Sequence, residues 1–200
     1  MRVMTAGTES ASAAGQMLAA SHADYPAFRH LLADPEQRQR FLLPFMTGAA
    51  RDVARNGTML VAVDVGEILG VALWLPPGAW PASWRRKLRM LPSLLKAMAI
   101  AGRRAPMWAR TGKALDVRAN GRPCWYLQAL GVSPTAQRGG VGTALMRPIL
   151  ERADKEDVEC RLHTSDPRNI TYYQRFGFTV GEPMAPMFDG GPSYLEMVRR

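Results

Sequence analysis

The chain has 200 residues, 47% of them hydrophobic and 22% charged, so it is long enough to bury a core without disulfides or metals. That composition excludes intrinsic disorder, collagen-like repeats and a disulfide scaffold. The 26 Lys and Arg residues against 17 Asp and Glu give a net charge of +9, and eleven of the basic residues lie within residues 85–122 beside a single acid, Asp116. This basic segment, residues 85–122, indicates an anionic partner: a nucleic acid, a membrane or a phosphorylated small molecule.

The two cysteines, Cys124 and Cys160, form neither a disulfide framework nor the spacing of a zinc site, and we expect no metal. The Ala-rich start is interrupted by Gly15, Gln16 and serines, unlike the apolar core of a signal peptide. No stretch approaches the roughly 20 apolar residues that span a bilayer. We therefore expect a cytoplasmic protein with a single domain over residues 1–200.

Hydrophobic periodicity and turn residues predict the elements of the first half. The predicted elements are an edge strand at 2–4, helices at 11–20 and 35–55, and a hairpin of strands at 58–64 and 67–75. The basic segment follows, and we expect a basic helical insertion at about 80–122. Its first helix, at 84–101, carries an apolar stripe opposite much of its Lys and Arg: Leu88, Leu91, Leu95 and Met98.

The second half alternates strands with helices. The predicted elements are strands at 125–132 and 159–164, helices at 141–154 and 167–176, and strand and turn from Phe178 onward. Interleaved helices and strands predict an α/β or α+β fold with a mixed sheet.

A glycine-rich loop lies between the strand at 125–132 and the helix at 141–154. Glycines at 139, 140 and 142 let consecutive N–H groups point at one spot, and the helix N-terminus adds partial positive charge there. A pyrophosphate suits such a site. The loop is not a Walker loop, because no Gly-Lys-Ser/Thr follows, and Leu145 stands where a dinucleotide fingerprint needs Gly or Ala. Taken as bare glycines, the loop is equally explained by a structural tight turn.

Residues flanking this loop resemble a known signature. QRGGVG at 137–142, preceded by LGVSP at 130–134, resembles the acyl-CoA signature Gln/Arg-x-x-Gly-x-Gly/Ala of the GNAT superfamily of N-acetyltransferases. A second superfamily element, NITYYQRFGF at 169–178, follows at the expected distance. The stretches SDPRN, YYQRFGFTV, GGPSYLEM and DYPAFRH are similar to the puromycin N-acetyltransferase-like members. The resemblance is dense from 123 to 200, patchy before 77 and poor through the basic segment.

The resemblance implies a GNAT-like domain with a mixed, mostly antiparallel sheet flanked by helices, in which two strands splay apart at the acyl-CoA site. Acetyl-CoA would be the co-substrate. Backbone groups of Leu130 and Val132 would hold its pantetheine arm, although their side chains would be core residues in any case, and Asn169 would contact the same arm. The pyrophosphate would be bound by the loop and the helix start: Gln137, Arg138, Gly139, Gly140, Val141, Gly142 and Thr143.

By the same resemblance Tyr173 is the general acid that protonates the departing thiolate; a packed core tyrosine is the alternative. Tyr172 is then a core or substrate-side residue. His163 stands where the puromycin N-acetyltransferase-like sequences carry a glutamate. Its imidazole is suited to accept the amine proton, directly or through water, or it is a structural histidine.

The acceptor side would include Tyr25, in the DYPAFRH stretch, although that stretch is equally explained by a turn between helices. Trp84, with Trp80 and Trp108, offers flat walls for an amine. Three interpretations of the basic segment stay open. It is a charged helix face covering a core stripe, or a substrate lid, or, the interpretation we favour least, a surface that binds an anionic membrane or nucleic acid.

The predicted function is transfer of an acetyl or other acyl group to a primary amine of a small molecule by direct attack. A covalent cysteine route is disfavoured, because neither cysteine has a Cys-His signature. Two alternatives stay open: acetylation of a protein or peptide amine, and a non-catalytic CoA-binding member whose basic helix binds a membrane or nucleic acid. We expect no nucleic-acid partner, and either a monomer or a homodimer.

Overall fold

A computed structural model describes residues 1–117, 123–183 and 190–200, which contain one seven-stranded sheet. The strands are β1 (Arg2–Thr5), β2 (Thr58–Asp64), β3 (Glu67–Leu75), β4 (Trp125–Val132), β5 (Cys160–Thr164), β6 (Thr179–Pro183) and β7 (Leu195–Arg199). Their order is β1-β2-β3-β4-β5-β7-β6, and only the β4/β5 pair is parallel. The predicted mixed, mostly antiparallel sheet is confirmed.

The helices lie between and beside these strands. They are α1 (Ala11–Ser21), α2 (Pro26–Leu31), α3 (Pro35–Asn56), α4 (Trp84–Ala101), α5 (Ala105–Val117), α6 (Val141–Glu156) and α7 (Arg168–Gln174). Sequence reasoning missed α2, whose six residues are too short for a helical period to register, and did not resolve α5 as a separate helix. Arg118 and Arg122, counted in the basic segment, lie outside the described residues.

Alternating side chains on the strands bury two cores, one on each face of the sheet. Met59, Val61 and Leu73 face a core shared with α1 to α5, whereas Leu60 and Trp74 face a core shared with α6 and α7. This period of two is the ordinary consequence of strand geometry. In the described residues no helix is long and apolar enough to cross a membrane.

β4 is paired unequally with its two neighbours. It pairs with β3 along nearly its whole length, from Tyr126 to Val132, but with β5 only from Trp125 to Leu127. A register shift opposite Leu73 and Trp74 leaves Gln128 as an extra residue, a β-bulge, where the pairing with β5 stops. β4 and β5 therefore separate beyond this point, which confirms the predicted splay.

Helix α4 is tied to α3 by a buried ion pair. The Arg86 guanidinium donates to both carboxylate oxygens of Asp52, at 3.1 and 2.5 Å, and also donates to the carbonyl oxygen of Ala79. Both charged side chains are buried. This bidentate arrangement satisfies both groups and fixes the rotation of α4 about its axis.

The predicted apolar stripe on α4 does not cover the core. Leu88, Leu91 and Leu95 are exposed, and only Met98 packs against the buried cluster. The buried side of α4 carries Arg86 and two alanines, because α3 and α4 approach so closely that a Cβ added to Gly48 would lie 2.8 Å from the Ser93 Cβ. Small residues, rather than the leucines, form this helix contact, so the core-stripe interpretation is wrong.

Removing one partner of the buried pair should be costly. We expect Arg86→Ala to lower the free energy of unfolding by about 3 to 5 kcal/mol, because Asp52 would stay buried without its partner. Lys87→Ala is the matched control on the same helix: it breaks the half-exposed Lys87–Asp116 pair and should cost under about 1 kcal/mol. Urea denaturation measures both, and equal losses would contradict a structural role for the buried pair.

Candidate active site

One cavity of about 1630 Å³ lies where β4 and β5 separate, between the first turn of α6 and the helices α4 and α5. It brings together all but one of the residues that the sequence singled out: Tyr25, Trp84, Leu130, Val132, Gln137, Arg138, Gly140, Val141, Gly142, Thr143, His163, Asn169 and Tyr173. Gly139 belongs to the same loop but does not line the cavity. Their roles stay predictions, but the fold places them around one space.

The loop before α6 has the backbone geometry of an anion site. Arg138 and Gly140 both have positive φ, at 63° and 79°, so the chain alternates through the left-handed region. Helix α6 then begins at Val141 with no side-chain cap and no acidic residue in its first turn. Its first N–H groups are therefore available to a ligand at the positive end of the helix.

The free edge of β4 forms the wall next to this loop. Beyond Leu127 the strand no longer pairs with β5. The alternate peptide groups of residues 128–132 that point away from β3 therefore face the cavity side without a strand partner. Gln128, on the bulge, lines the cavity, and its Oε1 is buried without a hydrogen bond among the described residues. An extended ligand with amide groups could pair with this edge as a further strand would.

Two adjacent tyrosines of α7 have different surroundings. Tyr173 is 8% exposed and packs edge-on against Tyr172 and Phe178, and its burial raises the pKa of its hydroxyl. At neutral pH the hydroxyl therefore keeps its proton.

Tyr172 lies against the glycine loop. Its buried hydroxyl has no hydrogen-bond partner in the described part of the chain, and burial raises its pKa to about 12. A Cβ added to Gly142 would lie 2.5 Å from that oxygen, so a larger residue at this position would displace the Tyr172 hydroxyl. Sequence reasoning missed this contact, because it joins α7 to α6 across the fold.

His163 is anchored in the cavity by aromatic neighbours. Its Nδ1 lies 3.2 Å from the Tyr126 hydroxyl, and the Tyr126 ring stacks on Trp80 with centroids 4.1 Å apart and planes 4° from parallel. Trp80 follows Ala79, whose carbonyl accepts a hydrogen bond from Arg86. The ion pair of α4 is therefore connected, through Trp80 and Tyr126, to the position of His163.

Tyr25 lines the cavity and is held at the end of β5. The Ser165 N–H donates to its hydroxyl at 2.6 Å, and Thr164 Oγ1 lies 3.1 Å from the same oxygen. Asn169 Nδ2 donates to Thr164 Oγ1 at 3.4 Å. Thr164 therefore links the predicted substrate-side Tyr25 to the predicted ligand of the cofactor arm.

The wall opposite β4 is aromatic and aliphatic. Trp108 packs against Phe28 and Phe45, with ring centroids 5.0 and 5.4 Å away. Trp84 stands at the exposed rim, with the Arg85 guanidinium 5.3 Å from its ring. Asp52 and Asp116 on this side are paired with cations of α4, and Asp24, beside Tyr25, lies 3.7 Å from the Arg38 guanidinium with most of its side chain exposed. This wall suits an apolar ligand group.

Comparisons with known proteins agree with one another. A model of the acetyltransferase (GNAT) family matches residues 21–178. An uncharacterized N-acetyltransferase of Schizosaccharomyces pombe is 29% identical over 147 residues, 70% of this chain; the chain spans 59% of the length of that protein.

Two solved structures share the fold. Histone acetyltransferase HPA2 and related acetyltransferase from Corynebacterium glutamicum superposes with a TM-score of 0.68 at 24% identity, covering 98% of this chain and 94% of that one. Arylalkylamine N-acetyltransferase 2 from Aedes aegypti gives 0.62 at 14% identity, covering 99% and 97%. The family model spans most of the chain, and the splayed sheet and the glycine loop agree with it: the chain belongs to the acetyltransferase (GNAT) family.

Proposed function

We propose that the protein transfers an acetyl group from acetyl-CoA to a primary amine of a small molecule. The observation that carries this proposal is the convergence, on one cavity, of the open glycine loop, the free edge of β4, a buried tyrosine and an apolar wall. The first two suit the donor, and the last two suit the reaction and the acceptor.

Acetyl-CoA fits the donor side by its chemistry. N–H groups of Arg138 and of Gly140 to Thr143 would bind the pyrophosphate, whereas the Gly139 N–H already donates to the Ala136 carbonyl. The peptide groups of Leu130 and Val132 would pair with the amides of the pantetheine arm. The thioester supplies an activated acetyl group. A backbone N–H of β4 would stabilise the negative charge that develops on its carbonyl oxygen.

The chain's own residues would manage the protons. The amine nitrogen attacks the thioester carbonyl, so that a C–N bond forms and the C–S bond breaks. His163 would accept the proton that the amine loses, and Tyr173 would donate one to the departing thiolate. The cysteines take no part: both are buried, and burial raises the pKa of Cys124 to about 11 and that of Cys160 to about 12. Buried, free thiols also suit a cytoplasmic location.

The acceptor wall favours a small amine over a basic peptide. Its apolar side chains suit an aryl or alkyl group, and the neighbouring surface of α4 is rich in cations, which would repel a Lys-rich segment. The two structural relatives carry the names of both acceptor classes on one fold, so the fold does not decide between them. Acetylation of a protein or peptide amine is therefore the alternative that the test must separate.

Amine-dependent release of CoA thiol tests the function. With acetyl-CoA fixed, we expect release with apolar primary amines in a panel that includes arylalkylamines, puromycin, polyamines and Lys-containing peptides. Release with peptides alone would overturn the small-molecule acceptor. Binding of acetyl-CoA without release across the panel would identify a non-catalytic member.

Tyr173→Phe tests the assignment of the general acid. Losing the proton donor should lower kcat by about 10² to 10⁴ with acetyl-CoA binding retained. Tyr172→Phe is the neighbouring control: its hydroxyl lies against the glycine loop, so its loss should act on the KM for acetyl-CoA and change kcat by less than about tenfold. Unchanged turnover in Tyr173→Phe would remove that residue from the chemistry.

His163→Ala tests the assignment of the base through the pH profile of kcat/KM. An imidazole accepts a proton only when neutral, so a histidine base makes the rate of the wild type fall on the acidic side. The variant should lose that limb. The substrate amine titrates too, so the profile is measured with two amines of different pKa, and only a limb that does not move with the substrate belongs to the enzyme. An enzyme limb kept in the variant would contradict the role.

A further inference from the structure

The apolar stripe of α4 is an exposed surface. Trp84 is 66% exposed, Leu88 56%, Leu91 42% and Leu95 56%. These four residues recur at i, i+4, i+7 and i+11, so they form a single line about 16 Å long on one side of the helix. Single exposed leucines are ordinary on a protein surface, but four large apolar side chains in one line are not. We call these four residues the outer stripe.

Cations accompany the outer stripe in a regular pattern. Arg85, Arg89 and Lys96 each follow a stripe residue by one position, which places them about 100° around the helix on the solvent side. All three are exposed, and none forms a salt bridge within residues 1–117, 123–183 and 190–200. The only acid of α4 and α5, Asp116, is already paired with Lys87. The helix therefore presents an apolar line with an uncompensated basic flank.

We propose that this face of α4 docks on an anionic lipid bilayer. An interfacial helix has the same two parts: an apolar line with tryptophan that enters the headgroup region, and lysines and arginines beside it that meet lipid phosphates. Nucleic acid fits less well, since phosphate binding uses the cations but gives the leucines no partner. A second copy of the chain fits less well too, because each basic flank would meet a helix pair whose single acid is occupied.

Part of the outer stripe also borders the cavity, so a docked bilayer would lie close to it. Trp84, Leu88 and Leu91 also line the acceptor wall, whereas Leu95 does not. A bilayer that covers the stripe would therefore lie at the mouth of the cavity. Vesicle binding does not depend on turnover, so this proposal and the proposed function fail independently.

Co-sedimentation of the full chain with vesicles tests the proposal. At physiological ionic strength we expect binding to vesicles of phosphatidylcholine with phosphatidylglycerol and little binding to phosphatidylcholine alone. We expect two variants to weaken partitioning by about tenfold or more each. Leu95→Asp removes part of the apolar contact with the bilayer, and the double variant Arg89→Glu with Lys96→Glu removes the attraction to the lipid phosphates. None of these residues lines the cavity.

Two matched controls lie elsewhere on the surface. Val65→Asp changes an exposed apolar residue of the β2–β3 turn, and Lys155→Glu reverses a cation on α6, on the opposite face of the sheet; both should bind vesicles as the wild type does. Circular dichroism checks that every variant is folded. The proposal is overturned if neutral and anionic vesicles bind the protein equally, or if the α4 variants bind as well as the wild type. It is also overturned if the protein binds DNA and Leu95→Asp leaves that binding intact, or if the protein forms a dimer that Leu95→Asp dissociates.

Discussion

Strand β4 pairs with β3 over nearly its whole length but with β5 over only three residues, and the candidate site depends on this difference in pairing. A strand inside a sheet normally satisfies its peptide groups on both sides. Here β4 is hydrogen-bonded to β3 as far as Val132, so the strand stays extended and fixed, but its pairing with β5 ends after Leu127. The bulge at Gln128 marks the point of release. The result is a rigid edge with unpaired peptide groups inside the protein, next to the start of α6.

The two faces of the sheet place different parts of the candidate site around that edge. The α6 and α7 side contributes the glycine loop and Tyr173, and the α1 to α5 side contributes the aromatic wall. A chain of contacts runs along the proposed acceptor side, from the Asp52–Arg86 pair through Trp80 and Tyr126 to His163. The insertion between β3 and β4 is therefore joined to the center of the cavity, and its outer surface is left with leucines and cations.

Local features were predictable from the sequence, and contacts between distant elements were not. The loop at 137–143 and Tyr173 lie in compact motifs, in which spacing and resemblance fix the residues together. The contact of Tyr172 with Gly142, and the pairing of Asp52 with Arg86, join elements far apart in the chain, so no local pattern signals them.

The stripe of α4 illustrates a different limit. Periodicity placed Leu88, Leu91 and Leu95 on one side of the helix but did not give the direction in which that side points; Met98, the fourth member of the predicted stripe, packs against the core. That direction is set by small residues and one buried ion pair, which bring α3 and α4 together with the leucines outside. From their apolar character alone, the leucines of α4 would be expected to be buried.

Hydrogen–deuterium exchange with and without acetyl-CoA tests the central claim most directly, because the free edge of β4 and the start of α6 are assigned to the donor. Amides of Leu130, Val132 and residues 140–143 should exchange more slowly when acetyl-CoA is bound, while those of β1 and β2 keep their rates. Protection confined to α4 and α5, with β4 and the loop unchanged, would contradict the claim that the parting of β4 from β5 creates the donor site.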